Sequence, residues 1–209
     1  YKLFTEIVET KQQNPNALIE ECLLAAKEKL IEAVTIEIEE MRLNIASSHL
    51  FTFVDKVSRY KQFVSAPTIK EIAETVGLLI LPFTPHLAEE IYSLQKGKGK
   101  QQFASFAEWP KAKKLNKNQE EAIRAVNLME QVERDAENLF NIMRRKGKQI
   151  KKAYIYAIDE DFKQLKQLEE VMASHLGELK IFSVVDKKKI DPLGRAEKAK
   201  PGKPAFYME

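Results

Sequence analysis

Apolar residues recur at three-to-four spacing from residue 15 to residue 147, and this pattern predicts a succession of amphipathic helices. The longest is expected over 15–46. Leu23, Ala26, Leu30, Val34, Ile38, Met41 and Ile45 form one apolar stripe there, and Asn14-Pro15 supplies a cap and a first-turn proline. A second helix is expected from about Ser48 to Phe63, carrying Leu50, Phe53, Val54, Val57 and Tyr60. Thr68-x-x-Glu71 after Pro67 reads as a capping box that opens a third, ending near Leu81. A fourth opens at Pro85 with Thr84 as its cap, because proline's missing N–H would have no partner in a first turn. It ends in Lys96-Gly97-Lys98-Gly99-Lys100. A fifth begins near Asn118, carries Ile123, Val126, Met129, Val132, Ala136, Leu139, Phe140 and Met143, and stops at Gly147.

The period then shortens. Ala153-Tyr154-Ile155-Tyr156-Ala157-Ile158 is β-branched and aromatic and predicts a strand. Asp159 is expected to cap a helix with Phe162, Leu165, Leu168 and Met172 on one face, closed by Gly177. Leu179 to Val185 reads as a second strand and Ala205 to Met208 as a third. Strand, helix and strand in sequence argue for a parallel pair with a right-handed crossover. So small a sheet must pack on its helix or a neighbour. The fold class is therefore mainly α: a helical bundle over 1–148, then a small α/β domain over 149–209.

Composition narrows the classes. With 44% hydrophobic and 31% charged residues over 209 positions, the chain reads as globular. Its longest apolar run, Val76 to Phe83, is far short of the ~20 residues that cross a bilayer, so no membrane partner is expected. One cysteine excludes a disulfide framework, which points to an intracellular, cytoplasmic setting. No signal peptide is legible, and a start in mid-pattern without methionine suggests an excised fragment. The net charge of +3 hides an asymmetry: residues 1–95 carry 9 basic and 14 acidic side chains, residues 96–209 carry 25 and 17. A positive half of this kind suits a polyanion.

Catalytic chemistry finds little support. His49, His86 and His175 lack carboxylate or cysteine partners at ligand spacing, so no metal site is expected. Adjacent acids such as Glu39-Glu40 and Glu89-Glu90 point apart on a helix and form no dyad. Cys22 lies on an apolar face and reads as a small buried hydrophobe. Trp109 reads as a core anchor rather than a base-stacking platform, and Phe206 as core, with Tyr207 open between core and ligand. No P-loop or dinucleotide glycine fingerprint occurs.

Three stretches carry a family resemblance. Glu40-Met41-Arg42 is followed by Arg59-Tyr60. Leu81-Pro82-Phe83-Thr84-Pro85-His86-Leu87-Ala88-Glu89-Glu90-Ile91-Tyr92 is followed by Trp109-Pro110. The C-terminus reads Lys198-Ala199-Lys200-Pro201-Gly202-Lys203-Pro204-Ala205-Phe206-Tyr207-Met208-Glu209. Together they resemble the C-terminal region of class I aminoacyl-tRNA synthetases, the last stretch that of archaeal-type leucyl-tRNA synthetases. Tyr92 departs from the family's usual tryptophan. The resemblance implies an anticodon-binding-type helical domain and a small C-terminal tRNA-binding domain. It implies leucine tRNA and the catalytic domain of the same polypeptide as partners. The family's His-x-Gly-His and Lys-Met-Ser-Lys-Ser motifs do not occur here. The chain is therefore expected to catalyse nothing alone and to need no cofactor, ATP and leucine belonging to the parent enzyme. In that family the long variable arm is read by shape, since leucine's six codons make the anticodon a poor identity mark.

RNA contact of this kind calls for cations on a rigid surface. Arg144, Arg145, Lys146, Lys148, Lys151 and Lys152 place six cations in nine residues. Their first members also suit a helix C-terminus. Lys187, Lys188, Lys189, Arg195, Lys198, Lys200 and Lys203 form a second basic stretch, kept a loop by Pro192, Gly194, Pro201 and Gly202, and Glu209 follows at the end. Lys96, Lys98, Lys100, Lys111, Lys113 and Lys114 read as surface. Two rivals stand beside this reading: the corresponding tail of an isoleucyl, valyl or methionyl enzyme, and a helical protein–protein adaptor.

Overall fold

The computed structural model describes residues 15–96, 103–147, 152–187 and 189–208. Among the described residues five α-helices precede the sheet: α1 Ala17–Glu39, α2 Leu43–Tyr60, α3 Ala66–Leu79, α4 Pro85–Lys96 and α5 Lys117–Arg145. Strand β1, Ala153–Ala157, is followed by α6 Asp159–Gln167, α7 Glu169–Leu176, β2 Leu179–Ser183 and β3 Ala205–Met208. A mainly helical part thus leads into a small α/β part. By contacts the chain divides into residues 1–120 and 121–209, so most of α5 groups with the sheet. The boundary expected near Lys148 falls outside the described residues.

In the first unit the cap of α1 is Asn16, whose Oδ1 accepts the amides of Leu18 and Ile19 at 3.1 and 3.3 Å. Asn14, the expected cap, lies outside the described residues. The single helix expected over 15–46 is two. Its first part closes in a Schellman arrangement, Met41 N–H on Ile38 C=O and Arg42 N–H on Glu37 C=O, with Met41 at φ 60°. Met41 is consequently 81% exposed rather than part of the apolar stripe.

The capping box expected at Thr68 is also corrected. Ser65 stands at the N-cap of α3, and Thr68 lies inside the helix with its hydroxyl 3.1 Å from that of Ser65. Glu71 pairs with Lys27 instead. A reciprocal box does occur at α5, where Asn116 Oδ1 accepts the Gln119 amide at 2.9 Å and Gln119 returns a carbonyl at 3.1 Å. Helices α3 and α4 meet at Gly77, where an added Cβ would stand 3.3 Å from Ile91 Cγ2.

In the second unit the sheet order is β2-β1-β3. The central strand is parallel to β2, from Ala153↔Leu179 to Ala157↔Ser183, and antiparallel to β3, from Ala153↔Met208 to Tyr156↔Ala205. All five residues of β1 are buried. Two departures from the expected pattern occur here. Ile158, not Asp159, stands at the cap of α6, and Asp159 is the first helical residue at φ 39°. The single helix expected after β1 breaks at Leu168 into α6 and α7, which both pack on β2. Their Leu165, Leu168, Val171 and Met172 are fully buried.

One sheet face is aromatic. Tyr154 stacks on Tyr207 at 5.8 Å, and Tyr156 on Phe182 at 6.5 Å. Ala196, Val184 and Ala199 pack over that cluster. Tyr207, left open by sequence, is therefore part of this packing, and Phe206 lies on the other face as the strand alternates.

Candidate nucleic-acid interface

The loop between β2 and β3 crosses the aromatic face and is fastened to it at several points. Tyr156 Oη donates to the carbonyl of Ile190. Burial, reinforced by the nearby Asp191 charge, pushes the Tyr156 phenol upward, so it stays a donor at neutral pH. Asp191 accepts the amides of Arg195 and Ala196, both at 2.8 Å. Burial works against its charge, but those amides and the Lys189 charge outweigh it and hold the carboxyl below its ordinary value. Further on, Lys200 and Lys203 exchange backbone hydrogen bonds of 3.0 and 2.8 Å across Pro201-Gly202, with Gly202 at φ 68°. Proline then left-handed glycine is the chemistry of a type II turn. Asp161 of α6 accepts the Gly202 amide at 2.6 Å and pins that turn.

These fastenings sort the basic residues. Lys187, Arg195, Lys198, Lys200 and Lys203 are exposed on the fastened loop. Lys189 is half-buried, with its ammonium donating to the Val184 carbonyl, so it closes the loop. An open cleft of about 470 Å³ beside it is lined by Asp186, Asp191 and Glu197 as well as Lys187 and Lys189. Three carboxylates make the cleft a poor phosphate seat, and Arg195, Lys198, Lys200 and Lys203 are not among the residues that line it. In the other stretch Arg144 and Arg145 end α5 and are exposed, as is Lys146. Lys152 is exposed and sits 3.3 Å from Glu178. Lys148, Lys151, Lys188 and Glu209 lie outside the described residues.

Elsewhere, Trp109 is half-buried and donates through Nε1 to Thr35 Oγ1 at 2.8 Å, anchoring its segment to α1. His175 Nδ1 lies 2.8 Å from Glu133 Oε1, a carboxylate only 1% exposed. Among the described residues no group of three or more His, Cys, Asp or Glu could hold a metal ion, and no helix is long and apolar enough to cross a membrane. Sequence reasoning passed over Asp191, Asp161 and Tyr156, the residues that hold the loop. Asp191-Pro192-Leu193-Gly194 was a usable turn signal for the first of them.

An acidic titration should loosen this loop. A carboxyl held below its ordinary 3.8 contributes stability that is complete above that value and is lost as pH falls through the depressed one. Amide exchange at Arg195 and Ala196 should therefore gain on that of β1 only in strong acid, and in Asp191→Ala already at neutral pH. Unchanged protection in the variant would show that the loop is held by other means.

Residues 20–169 match the family described as the anticodon-binding domain of tRNA ligase. The chain belongs to this family. The match covers most of both units' helices and β1. A leucine–tRNA ligase of Roseiflexus castenholzii is 33% identical over 95 residues, 44% of this chain and 10% of that protein. The leucine–tRNA ligase of Methanocaldococcus jannaschii is 26% identical over 164 residues, 77% of this chain and 17% of its own length. That of Roseobacter denitrificans is 36% identical over 93 residues, 44% of this chain and 10% of that protein. The chain thus spans between a tenth and a fifth of the length of these relatives. The resemblance carried by the signature of α4 is upheld: this is the C-terminal region of a class I aminoacyl-tRNA synthetase. Its membership of an anticodon-binding family supports tRNA binding.

Proposed function

We propose that this chain is the tRNA-docking C-terminal region of a leucine–tRNA ligase of the cytoplasm. It holds leucine tRNA by its shape, through the long variable arm, while a catalytic body on the same polypeptide uses ATP and leucine. The helical part over 1–148 serves as support and the α/β part over 149–209 as the reader. The observation that carries this is the basic loop of the second unit. Lys187, Arg195, Lys198, Lys200 and Lys203 are exposed on a backbone fastened by Tyr156, Asp191 and Asp161. Cations on a rigid support suit an RNA duplex, whose base edges are hidden in a deep, narrow groove. The names of the relatives favour leucine tRNA over its isoleucine, valine and methionine counterparts.

A salt-titrated binding assay tests the proposal, using leucine tRNA with and without its variable arm and isoleucine tRNA as control. The intact leucine tRNA is expected to bind best, with log K falling against log salt at a slope of roughly −3.5 to −4.5 for about five phosphate contacts. Equal binding of all three would reduce the proposal to a generic basic surface. Absence of binding at low salt would remove tRNA as the partner.

A further inference from the structure

The segment that enters the first unit's surface after α4 carries two aromatic rings facing solvent. Phe103 is 48% exposed and Phe106 84% exposed. Phe103 caps and Phe106 ends a single 3-10 turn, Ala104–Phe106, and their rings meet edge to face at 5.9 Å and 77°. The turn is built to stay in place. Glu89 of α4 accepts the amides of Ala104 and Ser105 at 2.6 and 3.0 Å, the Ala104 side chain is buried, and two further backbone bonds close the turn. A few residues on, Trp109 binds Thr35, and the Lys113 amide binds Glu28 at 2.7 Å. Between and beyond these anchors Lys111, Lys113, Lys114 and Lys117 are exposed, against the single acid Glu108.

Two phenylalanines on a fixed turn thus leave much of their apolar surface in water. Flat rings beside a row of lysines instead suit a chain with faces to stack and phosphates to pair. A paired RNA strand cannot use such rings, because its bases already stack on one another; unpaired nucleotides can. We infer that Phe103 and Phe106 form a stacking platform for unpaired RNA bases, with Lys111, Lys113 and Lys114 meeting the adjoining phosphates. The inference rests on tRNA being the partner, and it adds a second contact, on the first unit, separate from the basic loop. Because Glu89 fixes the turn beforehand, little ordering is needed when a base arrives. A patch made for a protein partner would favour neither single-stranded nor duplex RNA, and that difference can be measured.

The measurement is binding of the 209-residue chain to a short single-stranded oligouridylate and to an RNA hairpin duplex, followed by fluorescence anisotropy at low salt. Phe103→Ala with Phe106→Ala is expected to weaken the single strand by about tenfold or more, since a stacked base contributes roughly 5- to 150-fold, and to leave the duplex unchanged. Phe106→Tyr should keep the affinity and Phe106→Leu, apolar but without a π-face, should lose it. Equal binding by the Leu and Tyr variants, or an equal loss for duplex and single strand, would overturn the platform. So would a wild-type chain that binds tRNA but not oligouridylate, and that result would leave the tRNA proposal standing. A chain that binds neither RNA nor tRNA would remove both.

Discussion

Lys27→Ala is expected to lower folding stability by about 3 kcal/mol, seen as a lower urea midpoint at an unchanged slope. Lys27 is 4% exposed and Glu28 7% exposed. The Lys27 ammonium lies 2.5 Å from Glu71 Oε1 and 3.0 Å from Glu28 Oε1, and the other Glu28 oxygen takes the Lys113 amide. Burial alone would push the lysine down, yet the hydrogen bonds to Glu71 and Glu28 together outweigh it and hold it above its ordinary 10.5. A raised lysine contributes stability that is fully present below the ordinary value and is lost only as pH rises through the raised one. The pair is therefore intact at neutral pH. Removing Lys27 strands a buried carboxylate with one backbone donor, which is the costly way to break such a pair. Lys27→Met combined with Glu28→Gln should recover most of the loss, because no buried charge is left unpaired and the new side-chain amide still offers a carbonyl to the Lys113 N–H. If the single variant stayed within about 1 kcal/mol of wild type, water would be reaching Glu28.

That pair also marks what a linear pattern can and cannot disclose. Lys27 and Glu28 sit among Leu23, Leu30 and Val34, which the apolar spacing did place in the core, but nothing local announces that Glu71 and the amide of Lys113 converge on them. Periodicity was a good guide to where helices exist and a poor one to where they break. The apolar stripe runs without interruption through Ile38, Met41 and Ile45, and left-handed caps usually declare themselves by glycine or asparagine. Here Met41 takes the left-handed position, and Arg42 stabilises the corner by pairing with both Glu37 and Glu40. Leu168 repeats the lesson. Its spacing continues the stripe of Phe162 and Leu165, but Glu169 turns to accept the Ile181 amide at 2.9 Å and the helix restarts.

The strands were legible because their composition is local: Ala153, Tyr154, Ile155, Tyr156 and Ala157 could hardly be anything else. The antiparallel seat of β3 against β1 was not, since it depends on a loop of some twenty residues folding back over Tyr154 and Tyr156. The cationic stretches were equally visible as runs. Which of their members remain on the surface required three dimensions. Lys189 is drawn inward by the Val184 carbonyl and the exposed Lys152 stands beside Glu178, whereas Arg144, Arg145, Lys146, Lys187, Arg195, Lys198, Lys200 and Lys203 lie exposed. Phe103 and Phe106 escaped notice for the opposite reason, because two phenylalanines near a tryptophan look like core until their exposure is seen.

Replacing Arg195, Lys198, Lys200 and Lys203 together by glutamine is expected to weaken tRNA binding by about 10²–10³-fold near 0.1 M salt. Each phosphate contact contributes roughly 0.7–0.9 to the slope of log K against log salt, so the slope should become shallower by about 3. These four side chains are exposed, so their removal breaks no interior packing. The loop's shape should survive, because Asp191 and Asp161 hold backbone amides rather than the lysines. An affinity loss with an unchanged slope would mean that the side chains act without meeting phosphates. Arg144→Gln with Arg145→Gln and Lys146→Gln is the informative companion, since these cations end α5 and also suit the negative end of a helix. If that triple variant lost as much affinity as the loop variant, recognition would be spread over both basic stretches. If the triple variant alone lost binding, the reader would be the helix end, and the loop would be a charged surface with no part in docking. Confinement of the loss to the loop would instead tie recognition to the turn that Asp161 pins. In that case Asp161→Ala, which removes no positive charge, should weaken binding while leaving the salt slope intact.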